Sequence, residues 1–145
     1  MQLLASLDHL QRWLAVRGNI PIPATNKIVN NRRVATEAQV LRIAAAFVCT
    51  DEEVAEMRLL DEVETATVSL SRIIARRDVA LERIAAETLI ALTSIQGFIG
   101  NTLAPSEEEL LRIFLAVVVR NERRCKVNKI IAAAGDYVLG DVAPA

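Results

Sequence analysis

The chain has 145 residues, of which 52% are apolar, 3% aromatic and 24% charged, with 17 basic groups against 18 acidic ones. So much apolar content at a net charge of -1 excludes intrinsic disorder, which needs low hydrophobicity and high charge. The 22 alanines beside 5 glycines and 4 prolines favour packed helices, and so few aromatics exclude a base-stacking groove for single-stranded nucleic acid.

Capping signals set out the elements in chain order. A first helix is predicted over about Leu3 to Val16, with Leu4, Leu7, Leu10 and Leu14 on one face, ending before Gly18, Pro21 and Pro23. A short helix over about Ala24 to Asn30 follows, then one from Glu37 to Val48. Thr36-Glu37-Ala38-Gln39 and Thr50-Asp51-Glu52-Glu53 are capping boxes, in which hydroxyl and N3 side chain satisfy each other's free amides. From Asp51 a long helical stretch carries a 3-4 apolar spacing through Leu60, Val63, Leu70, Ile74, Leu81, Ile84, Ile95 and Phe98, interrupted at Arg77, where a bend or a break is expected, so that one long helix and two both fit. Ser106-Glu107-Glu108-Glu109 is a third capping box and opens a section running to Ala134 as one helix, or as two with a joint near Asn121. The β-branched run Val117-Val118-Val119 leaves a strand as the alternative there.

The fold class expected is all-α, a small helical head at 1–60 followed by a helical bundle at 61–139 and a frayed tail at 140–145. Charge follows that division: residues 1–50 hold six basic and two acidic groups, residues 51–145 eleven and sixteen. The basic head suits a polyanion, and the acidic body does not. The longest apolar run, Ile113 to Val119, is too short for the ~20 residues that span a bilayer. The expectation is a soluble, cytoplasmic protein with no membrane partner.

Nothing points to catalysis. His9 is the only histidine, and no phosphate-binding loop, dinucleotide turn or nucleophile elbow occurs. Cys49 and Cys125 are read as buried free thiols, since the pair lacks metal-ligand spacing. No catalytic residue, cofactor or metal site is assigned, and the protein is read as no enzyme. The cluster Arg120, Arg123, Arg124, Lys126 and Lys129 does not form one stripe at helical spacing, and reads as solvated surface or as a match to a helix end.

Two functional readings emerge. The stretch 21–60 contains Ala24-Thr25-Asn26-Lys27-Ile28-Val29-Asn30-Asn31, then Arg32-Arg33, the capped helix with Ile43-Ala44, and Thr50-Asp51-Glu52-Glu53-Val54. It resembles the second half of the lambda-repressor-like helix-turn-helix family, although only Arg17 to Ile22 stands where that family has a complete helix. The resemblance implies a transcriptional regulator binding duplex DNA. Thr25, Asn26 and Lys27 would face base edges, Asn30 would join them in the DNA-binding set, Asn31 would end the recognition helix, and Arg32 and Arg33 would lie on phosphate. Ile28, Ile43, Ala44 and Phe47 would form a core with Leu7, Leu10 and Leu14. The other reading is a non-enzymatic scaffold, adaptor or assembly protein. In both, the apolar seam at Leu60, Val63, Leu70, Ile74, Leu81, Ile84, Ile95 and Phe98 is expected to drive homo-oligomerisation, a dimer in the first place.

Overall fold

A computed structural model describes residues 11–29, 35–62, 64–119 and 123–132. Among the described residues every regular element is a helix: α1 (11–18), α2 (Ile22–Val29), α3 (Glu37–Val48), α4 (Asp51–Arg58), a 3₁₀ turn at Leu59–Asp61, α5 (Ala66–Arg77), α6 (Leu81–Thr88), α7 (Leu92–Ile99), α8 (Glu107–Val118) and α9 (123–132). The all-α class is thus observed, and the alternative of a strand at Val117–Val119 is not: α8 runs through Val118 and only Val119 is extended.

All three capping boxes form. In the clearest, Ser106 accepts from the Glu109 backbone N–H while the Glu109 carboxylate accepts from the Ser106 N–H, at 3.2 and 2.9 Å. Thr36 with Gln39 and Thr50 with Glu53 repeat the arrangement. A Ser106→Ala change removes one of these bonds from an exposed helix start and is expected to lower stability by about 1 kcal/mol in urea unfolding.

The described residues fall into two compact units, one of those up to Val48 together with 125–132, the other of those within Cys49–Arg124. The division falls at Val48/Cys49, ahead of the junction expected at residue 60, and the C-terminal helix from Cys125 is grouped with the head rather than the body.

In the first unit, α1 ends where Asn19 turns left-handed at φ 53°, a conformation Asn tolerates, and the Ile20 N–H reaches back to the Ala15 carbonyl at 3.0 Å. Two arginines tie α1 to α3: Arg17 Nε donates to the Ala46 carbonyl and Arg42 to that of Gly18. Small side chains let the backbones approach, with Ala44, Ala45 and Ala46 wholly buried alongside Leu14, Ile20 and Leu41. The expected core holds at Leu14 and Ala44, but Ile28 and Ile43 are only half-buried, and Leu7 and Leu10 lie outside the described residues. Phe47 is half exposed, its ring 5.3 Å from that of Trp13.

In the second unit, the stretch expected as one or two long helices is four helices and a 3₁₀ turn. The break foreseen at Arg77 occurs at Asp78, left-handed at φ 53°. A further break follows Thr88, where Leu89 is left-handed at φ 60°. Around the core, α5 and α6 each pack on both α7 and α8, and α4 also meets α8. The run Ile113–Val119 is buried on every side, so α8 is the central helix, covered by the amphipathic ones. No helix among the described residues is long and apolar enough to cross a membrane.

Candidate functional site

The residues expected to read DNA are placed unevenly. Because α2 begins at Ile22, ahead of Ala24, Thr25 falls one turn into the helix rather than at its tip. Its side chain is buried and its hydroxyl donates to the Pro21 carbonyl at 3.1 Å, so it faces the protein and not a groove of DNA. Asn26 is half-buried, with Oδ1 enclosed and without a hydrogen bond, while Lys27 is exposed. Asn30, Arg32 and Arg33 lie outside the described residues. The described part of the set therefore offers a single free charged side chain and no row of polar groups.

The seam residues are brought together, but inside the chain. Leu60, Leu70, Ile74, Ile84, Ile95 and Phe98 are all buried in the second unit, Leu81 is half-buried, and Val63 lies outside the described residues. An interface needs side chains that are open before association. These six are already packed against their own unit, so the apolar spacing is taken up in folding.

The open apolar positions are others. On the outer side of α5, Val68, Ser71, Arg72 and Ala75 form, with Ile99 and Asn101 beyond α7, a groove of about 340 Å³ whose walls are mainly apolar. Val68 is half exposed, as is Leu103, which folds over Gly97 so closely that a Cβ there would meet its side chain at 2.7 Å. Arg72 stands exposed at the rim with no hydrogen bond or ion pair to a described residue.

At the opposite end of α7 stands Leu89. It is 91% exposed, more than any other large apolar residue described. Its flanks hold it there. Buried Thr88 donates to the Ile84 carbonyl at 2.7 Å and accepts from the Ile90 N–H, and Ile90 is buried on the other side. The Leu89 N–H closes onto the Ala85 carbonyl at 3.0 Å. Left-handed backbone costs a leucine about 1–2 kcal/mol, and a glycine or asparagine is the usual residue at such a helix end.

Compared with family models, characterised proteins and solved structures, the chain matches none. Its site has to be read from its own geometry.

A charged cluster crosses the second unit. Arg123 grips buried Glu53 with two bonds, 2.6 and 3.2 Å, and donates to the Val118 carbonyl. Glu56 pairs with Arg77 at 2.7 Å and more loosely with Arg76. Burial works against the charged form of Glu53. The hydrogen bonds from Arg123 and Thr50 and the charges of Arg123 and Arg77 outweigh it and hold the carboxyl below its ordinary value. Of the two expectations for this arginine, solvated surface or a match to a helix end, the contact with Val118 fits the second, and its grip on Glu53 adds a partner that neither named; Glu53 both caps α4 and anchors Arg123. Cys49 is buried as expected, whereas Cys125 is exposed. Among the described residues no three His, Cys, Asp or Glu side chains gather as metal ligands do.

Proposed function

We propose that this protein is a non-enzymatic helical assembly protein that works by associating with further copies of itself. The observation that carries the reading is Leu89, a large apolar side chain held in solvent by a strained and well-bonded turn. Strain of this kind persists where its surroundings enforce it, and it concentrates at sites of contact and function. Half-exposed Val68 and Leu103 add open apolar surface on the same unit. Sedimentation velocity from low to high micromolar protein tests the reading: a sedimentation coefficient rising with concentration is expected, and a monomer throughout overturns it.

The reading as a duplex-DNA-binding regulator rests on the basic balance of residues 1–50 and on exposed Lys27. It makes a separate prediction. With ~4 phosphate contacts, affinity would fall on the order of a hundredfold between about 50 and 200 mM salt, and the triple change Lys27→Ala, Arg32→Ala, Arg33→Ala would abolish it. The assembly reading expects no duplex binding that depends on these three residues, as measured by fluorescence anisotropy on mixed-sequence DNA.

A further inference from the structure

We infer that copies of this chain join head to tail, Leu89 of one entering the α5 groove of the next. The inference rests on the assembly reading and names its contact. Leu89 is a projecting apolar side chain with nothing to cover it. The α5 groove is an apolar recess with Val68, Ala75 and Ile99 on its walls. The two stand at opposite ends of α7, whose eight residues span about 12 Å. One copy therefore cannot fill its own groove, and the residue that fits it is supplied by another.

Charge directs the pairing. Leu89 caps the carboxyl end of α6, and the last turn of that helix holds no basic residue of its own to offset its partial negative charge. The last turn of α5, by contrast, carries Arg76 and Arg77. Arg72 at the groove rim is the complementary group, an exposed cation without a partner among the described residues. A leucine seated between Val68 and Ile99 brings the α6 carbonyls toward that guanidinium. Passed from copy to copy, a contact between two different patches makes a ring or an open series, whereas the same contact made reciprocally by two copies closes as a two-fold dimer; head-to-tail joining is the first of these.

Two variants test it, both at exposed positions where folding is spared. Leu89→Gly removes the knob and suits the left-handed backbone. Val68→Glu places a charge in the groove and occupies Arg72 four residues along the helix. Sedimentation velocity on the full chain is expected to show wild type growing beyond dimers as concentration rises, and a wild type that stops at two overturns the head-to-tail order. Each variant alone should dissociate at least tenfold more readily, within the ~10- to 100-fold that burying one leucine is worth. An equimolar mixture should give heterodimers that stop at two, since one variant retains only the groove and the other only the knob. Wild type that associates while both variants associate equally well overturns the contact but leaves the assembly reading standing. Monomeric wild type overturns both.

Discussion

Phe114→Ala is expected to destabilise the second unit by about 3–5 kcal/mol, the largest effect of any single substitution considered. Phe114 is fully buried, on a helix whose neighbours Leu111, Ile113, Leu115 and Val117 are buried too. Truncation there removes a large side chain from the centre of the packing, where α8 is enclosed and no surface element is free to collapse into the void. Domains are held by only about 5–15 kcal/mol, so the variant should unfold at much lower urea in far-UV circular dichroism. Val68→Ala is the control: half exposed on α5, it should shift stability by no more than about 0.5 kcal/mol. Equal effects of the two changes would contradict the central position of α8.

What the sequence revealed of this architecture was what neighbouring residues decide. Each capping box is a contract between residues three apart, and all three formed. Apolar pairs such as Leu70 with Ile74 and Ile95 with Phe98 also face inward as their spacing implies. The continuity between those pairs was not legible. Asp78 and Leu89 both turn left-handed without a glycine; the first break was marked only by the arginine that interrupts the seam at Arg77, and the second, at Leu89, by no residue at all. Short helices kept the 3-4 spacing while changing direction. That is why an apparent oligomer seam became a core. The knob was hidden for the same reason: one leucine among many, distinguished only by a backbone angle. On α2 the error was one of phase, since a helix beginning at Ile22 turns Thr25 inward. The groove needed tertiary structure, because Val68 and Ile99 meet only once α5 and α7 pack.

Arg123→Ala is expected to cost about 2–3 kcal/mol near neutral pH, because it leaves Glu53 charged and buried without its partner. The cost falls below the about 3–5 kcal/mol of a fully buried pair, since the Arg123 side chain is 38% exposed and water replaces some of what is lost. Glu53→Gln separates the pair from the cap: the amide oxygen can still accept from the Thr50 N–H, whereas the charge on which Arg123 closes is gone. The pH dependence supplies a signature that lost packing alone would not produce. Its partners hold the folded-state pKa of Glu53 below the ordinary carboxyl value, so the pair's contribution is complete above that ordinary value and is lost as pH falls through the folded one. Arg123 stays protonated throughout, so this titration belongs to Glu53. The gap in stability between wild type and Arg123→Ala, from urea unfolding at a series of pH values, should be widest near neutrality and narrow as the carboxyl is protonated. Glu53→Gln, which has nothing to titrate, should show a flatter acid limb than wild type. A gap of constant size from neutral to acid pH would assign Arg123 a packing role and deny it the electrostatic one. Fastening a carboxylate at the start of α4 to an arginine 70 residues later joins the two ends of the second unit, a contact no local pattern could announce.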